Sequence, residues 1–384
     1  MEFGLRGVEL FPKLRVLAAL GLMALVAGCS TFDVGPRSPV PAQDASIATI
    51  PSSTPIRYWG DVTRQDVNLK LPAHGSGAVL SLSGGGADGA YGAGYLLGWT
   101  ARGDRPKFDI VTGISVGSLI APMAFLGPRY DGRLQSVFLN LASQKSKGAN
   151  ILGALLGAPS VLDNTSIKNA ISQLVDQQVL DEIAAESRAG RRLLVGTTNL
   201  DAQRPVVWDI GAIANSNIPD KLELVHEIML ASAAVPGVYP PVLIHVQADG
   251  RTYDEMHVDG GVTQEVVLLP RGVNVQGRGA LYVIYNNTLA PTRDPVTTVS
   301  SLSVLSHAVP TMLKYGGRND LVVLGAAARR AGFAYHVTAI PPTFPPAPSY
   351  LGNPQWLGDL FAFGYKRGRA GAWETDAEAF AEAR

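Results

Sequence analysis

Three glycine-bearing clusters hold the residue types that acyl transfer requires. The first is Ser83-Gly84-Gly85-Gly86-Ala87-Asp88-Gly89, the second Gly113-Ile114-Ser115-Val116-Gly117, and the third Asp259-Gly260-Gly261. A glycine loop lets main-chain N–H groups approach an oxyanion closely, because no Cβ stands in the way. In Gly-x-Ser-x-Gly the glycines permit the sharp strand-to-helix turn that projects a serine hydroxyl as nucleophile. The helix opening at Val116 aims its free N–H groups and positive end at a developing negative charge. A carboxylate on an open turn can take the serine proton directly when held at about 2.6–3.2 Å. Ser115 is therefore the candidate nucleophile, Asp259 the candidate base, and the N–H groups of Gly84, Gly85, Gly86 and Val116 the candidate oxyanion donors. The chemistry such a set could perform is hydrolysis of a carboxylic ester through an acyl-enzyme.

Each cluster also has an ordinary reading. Gly84-Gly85-Gly86-Ala87-Asp88-Gly89 satisfies Gly-x-Gly-x-x-Gly, the dinucleotide fingerprint, which needs an acid at the end of the next strand to hold a ribose. Asp104 has about the right separation but lies before that strand, which ends in Thr112-Gly113. Asp-Gly is a common turn pair and could be purely structural. Among the six histidines, His257 shares a strand face with Asp259, and a histidine triad would give an α/β-hydrolase esterase. That order requires a histidine on a loop near the C-terminus, whereas His307 and His336 sit in stretches that read as helix or strand.

The elements that must position these residues follow from apolar runs and their breaks. Residues 78–82 read as a buried strand ended by glycines, 89–100 as a small-residue helix, 109–112 as a second strand and 116–125 as a second helix. Further strands are expected at 191–198, 205–210, 253–258, 280–286 and 334–340, and a helix at 222–234. Residues 299–332 read as two helical stretches around Tyr315-Gly316-Gly317. A proline-rich run at 341–348 precedes an amphipathic helix at 356–369. Alternating strands and helices predict an α/β layer architecture with a largely parallel sheet and a site at the carboxyl ends of its strands.

Composition sets the remaining bounds. An apolar share of 46% against 17% charged residues supports a sizeable core. Lys plus Arg and Asp plus Glu both number 32, so no global field draws nucleic acid. The single cysteine, Cys29, excludes a disulfide framework. It follows basic residues Arg6, Lys13 and Arg15 and an apolar run at 16–27, and Val26-Ala27-Gly28-Cys29 looks like the lipobox of bacterial lipoproteins. Residues 1–28 are thus expected to be a removed signal peptide, with an ordinary secretion signal as the alternative. Residues 29–66 are expected to form a flexible tether rich in Pro, Ser and Thr, 67–340 the catalytic domain, and 341–384 a C-terminal extension. Lipidation at Cys29 would anchor the chain at a periplasmic membrane face, the outer membrane being favoured because Ser30, not an acid, follows the cysteine. No metal or organic cofactor is expected, since no His/Asp/Glu cluster has ligand spacing.

Gly-Gly-Gly-x-x-Gly, Gly-x-Ser-x-Gly and Asp-Gly-Gly, in this order and at these intervals, resemble the patatin-like phospholipases. The resemblance runs from about Ala78 to Gly261, and Ala231-Ser232-Ala233-Ala234-Val235-Pro236-Gly237 is similar to a further family segment. It implies a three-layer α/β/α fold, a membrane-lipid substrate, Ser115 and Asp259 as a Ser-Asp dyad without histidine, and the Gly84-Gly85-Gly86 loop as oxyanion hole. One departure is Asp88, where the family usually carries a cation. A fixed negative charge there is expected to disfavour anionic head groups. The alternative is a non-catalytic envelope lipoprotein on the same fold, binding lipid or a partner.

Overall fold

The computed structural model describes residues 36–61, 75–143, 164–236, 238–267, 279–291, 301–347 and 353–374. The expected signal peptide and Cys29 lie outside these residues. Strand β2 (Ala78–Leu82) is central, pairing in parallel with β3 (Ile110–Ile114) on one side and β8 (Ala280–Thr288) on the other. Parallel pairing continues from β3 to β4 (Arg192–Asn199) and from β8 to β9 (Ala334–Ile340). The far side is antiparallel: β5 (Arg204–Asp209) pairs with β4 and β1 (Arg57–Trp59) with β5. The hairpin of β6 (Val242–Ala248) and β7 (Arg251–Asp259) joins the end of β4 through β7. The order is β1-β5-β4-β3-β2-β8-β9, so β2 and β3, which lead into the glycine loop and Ser115, pair in parallel at its middle, while Asp259 ends the antiparallel β7 beside β4.

Side chains alternate across this sheet and feed two cores. Leu80, Leu82 and Val111 pack on one face with most of the helices. These are α1 (Gly89–Arg102), α2 (Val116–Leu126), α3 (Asp131–Ser143), α4 (Thr165–Leu174), α5 (Gln177–Arg188), α6 (Ile210–Asn215), α7 (Lys221–Ser232) and, after one more helix, α9 (Pro354–Ala370). Val79, Ile110, Leu281 and Val283 face the other way, onto Leu321, Leu324 and Ala328 of α8 (Ser301–Ala331). Helices thus cover both faces of a mixed, centrally parallel sheet, the three-layer α/β/α arrangement.

Two expectations change. The stretch 299–332 forms one helix, not two, because Gly317 is buried where a Cβ would stand 2.6 Å from the Tyr285 hydroxyl, so close packing replaces the turn that Gly316-Gly317 suggested. The described part of the expected tether, 36–61, lies on the domain. The Ser38 N–H donates to Asp254 at 2.7 Å, Thr49 bridges Gln247, Ile56 is buried, Arg57 pairs with Glu255, and β1 extends the sheet. Isolated apolar anchors such as Ile50, Ile56 and Trp59 carry no period, so pattern reading missed them. The C-terminal helix is equally integral: α9 packs along α1 backbone to backbone.

Candidate active site

Ser115 is the one-residue link between β3 and α2, with φ 52° and ψ −127°, a conformation a β-carbon disfavours. The chain holds it there by close approach: a Cβ on Gly117 would stand 2.4 Å from the Leu82 carbonyl oxygen. The Ser115 N–H donates to Ser232 Oγ at 2.9 Å, and that hydroxyl donates in turn to the Gly196 carbonyl at 2.7 Å. The Ser118 hydroxyl donates to the Ser115 carbonyl at 2.7 Å. With only 3% of its surface exposed, the serine is fixed from several sides.

Asp259 ends β7 and caps the short turn Gly260–Val262. Its N–H donates to the Ala234 carbonyl at 2.9 Å, so the 231–236 segment ties both candidate catalytic residues, Ser115 through Ser232 and Asp259 through Ala234. One carboxyl oxygen, Oδ1, accepts the Gly261 N–H at 2.7 Å. The other, Oδ2, is buried without a hydrogen-bond partner. Burial pushes the Asp259 carboxyl up to about 7, while the neighbouring Ser115 side chain and the Gly261 N–H pull it back down. A buried acid poised near neutrality beside a strained serine can accept a proton at physiological pH.

The glycine loop crosses the carboxyl end of β2. Gly85 has φ +140° and a Cβ on it would stand 1.8 Å from the Asn286 carbonyl oxygen, so only glycine fits. The loop is pinned to β8, since the Asn286 N–H donates to Ser83 Oγ at 2.7 Å and its side-chain amide to the Ser83 carbonyl at 2.9 Å. The Gly84 N–H already donates to the Glu265 carbonyl at 3.2 Å, which removes Gly84 from the candidate donors and makes it a structural tie. Among the described residues no main-chain carbonyl takes the N–H of Gly85, Gly86 or Val116.

The other expectations sort by geometry. His257 is fully buried, with Nδ1 3.0 Å from Thr197 Oγ1 and Nε2 3.1 Å from Glu255 Oε2, so both ring nitrogens are engaged away from Ser115. His336 stacks on Tyr282, and His307 lies on α8. Asp88 is half-buried, and burial raises its carboxyl to about 7 while Lys314 draws it down, so the negative charge expected there titrates near neutrality. Among the described residues no group of three or more His, Cys, Asp and Glu could hold a metal ion. Sequence reasoning missed Ser232 as the anchor of the serine, Asn286 as the anchor of the loop, and Glu265. The first lay inside a segment already singled out, while the other two carried no signal.

Residues 80–270 match the model of the patatin-like phospholipases, and over this span the chain belongs to that family. Among solved structures, VipD from Legionella pneumophila is similar at 13% identity and a TM-score of 0.35, covering 76% of this chain and 66% of its own. Human GIVD cytosolic phospholipase A2, solved with methyl gamma-linolenyl fluorophosphonate and terbium chloride, is similar at 13% identity and a TM-score of 0.29, covering 61% of this chain and 43% of its own. No curated protein matches.

Proposed function

We propose that this protein is a lipid acyl hydrolase acting on carboxylic esters of membrane lipids through Ser115 and Asp259. The observation that carries this reading is the buried Asp259 carboxyl, with one oxygen unpartnered, beside a serine held at φ 52°. Ser115 Oγ attacks the ester carbonyl as Asp259 takes its proton, and the N–H groups of Gly85, Gly86 and Val116 hold the oxyanion. Asp259 returns the proton to the leaving alcohol. Water then enters, Asp259 takes one of its protons, and the acid is released as Ser115 regains a hydrogen. Cys29 carries the lipid anchor in this reading and keeps the enzyme at the periplasmic face of the outer membrane.

A fluorophosphonate probe tests the nucleophile. Wild-type protein should label at Ser115 and hydrolyse lipid and short-chain esters, and Ser115→Ala should lose both. Absence of labelling and turnover in the folded wild type would leave the non-catalytic lipoprotein in its place.

A further inference from the structure

Glu265 lies six residues beyond Asp259, inside the site yet outside every step written above. Its main chain is clamped on two sides. Its carbonyl accepts the Gly84 N–H at 3.2 Å, and its own N–H donates to Asp320 Oδ2 on α8 at 2.7 Å. Its side chain is 3% exposed and fills the gap between three glycines. A Cβ on Gly84 would stand 2.7 Å from Oε1, one on Gly261 2.2 Å from Oε2, and one on Gly317 of α8 3.0 Å from Cγ. Asp259 Oδ1 lies 3.0 Å from that same Gly261 position, so the two carboxyl groups crowd one point. One carboxyl thus touches the glycine loop, the Asp259 turn and the helix behind them.

The charges around it favour a proton on this group. Asp259 faces it from the end of β7 and Asp320 from α8, both raising its affinity for a proton beyond what burial does. Tyr285 on β8, Asp88 on the glycine loop, and Lys314 and Arg318 on α8 complete the surrounding titratable and charged set. Two carboxylates this close do not both ionise near neutrality, so one stays an acid.

We propose that Glu265 is a positioning residue of this site, a carboxylic acid that keeps its proton, spaces the glycine loop from the Asp259 turn, and leaves Asp259 as the carboxylate that ionises. This rests on the acyl-hydrolase reading for its kinetic consequences, though not for its protonation. When alkali ionises Glu265, a second negative charge stands against the oxyanion loop, and turnover falls.

Two variants and two readouts test it. Glu265→Ala should lower kcat for a short-chain ester by about 10²-fold with little change in KM, the scale of an ångström of misplacement. Glu265→Gln, which keeps the shape without an ionisable proton, should restore most of that loss and abolish the alkaline fall of the pH–rate profile. An unchanged alkaline limb in Glu265→Gln, or a Gln variant as slow as the Ala variant, overturns the proposal. The second readout needs no activity. An acid whose affinity for protons is raised by folding stabilises fully at low pH and loses that contribution as pH rises. The melting temperature of Glu265→Gln relative to wild type should therefore climb from pH 5 to pH 9. A flat difference overturns the proposal even if the enzyme turns over, and a climbing difference in a protein inert toward esters sustains it while the hydrolase reading fails.

Discussion

Helix α1 makes two glycine-lined contacts that differ in what surrounds them. At its N-terminal end a Cβ on Gly89 would stand 2.2 Å from Val116 Cγ2, and one on Gly92 2.2 Å from Asn286 Oδ1. Further along, Gly94 and Gly98 meet α9, where a Cβ would stand 2.1 Å from the Phe361 and 2.0 Å from the Tyr365 carbonyl oxygen. Gly364 and Gly368 return the fit, at 2.2 Å and 2.1 Å from the carbonyl oxygens of Tyr91 and Tyr95. The residue type and the closeness are the same in both. Only the first contact adjoins unclaimed amides, a strained serine and a buried carboxyl. Glycine reports a close approach, to side chains at the first contact and to backbone at the second, and the neighbouring groups decide whether it serves chemistry or packing.

The sharpest way to separate the contacts is to remove the carboxyl beside the first. Asp259→Asn keeps size and loses proton acceptance, and turnover should fall by about 10²–10⁴-fold with the fold intact. The same group sets a pH limb in the wild type. Since burial holds its carboxyl up to about 7, kcat/KM should rise with pH and level off above that value. Stability should run the other way, because a raised acid favours the folded state at low pH and loses that contribution as pH climbs from the ordinary aspartate range through about 7. Asp259→Asn should therefore melt higher than wild type at pH 8, and a lower melting temperature would show that the carboxyl is chiefly a structural tie.

A smaller effect is expected one bond away. Ser232→Ala removes the acceptor of the Ser115 N–H and the donor to the Gly196 carbonyl. It should lower kcat by about 10-fold by loosening the nucleophile, with slower fluorophosphonate labelling in proportion. An unaltered labelling rate would mean that the close approach of Gly117 alone sets the serine.

How much of this was legible follows the range of each interaction. The three clusters are local, so Ser115, Asp259 and the loop could be read from a few residues each, as could the parallel strands at 78–82 and 280–286. What failed depended on distant partners. The Gly84 N–H is claimed by Glu265, and His257, which shares a strand face with Asp259, is taken up by Thr197 and Glu255. Helices α3, α4 and α5 hold none of the motif residues, so a reading led by the motifs does not reach them. Gly94-x-x-x-Gly98 and Gly364-x-x-x-Gly368 were both visible as spacings, yet nothing local says that helices so far apart in the chain pack face to face.

The second contact can be tested without touching the first. Gly98→Ala adds a methyl that would meet the backbone oxygen of Tyr365 at 2.0 Å, and a backbone atom cannot swing aside as a side chain can. Alanine in a helix is worth about 1 kcal/mol over glycine, whereas overpacking costs about 1–3 kcal/mol. At so short a contact the clash wins, so the melting temperature should fall while turnover per labelled serine holds. Gly358, on the same helix α9 as Gly364 and Gly368, is the control, because a Cβ there would meet nothing within 4 Å. With the clash removed only propensity remains, and Gly358→Ala should stabilise by about 0.5–1 kcal/mol. If both substitutions moved stability the same way, the α1–α9 fit would not depend on close backbone approach. If Gly98→Ala instead lowered turnover per labelled serine, the two contacts of α1 would be mechanically one.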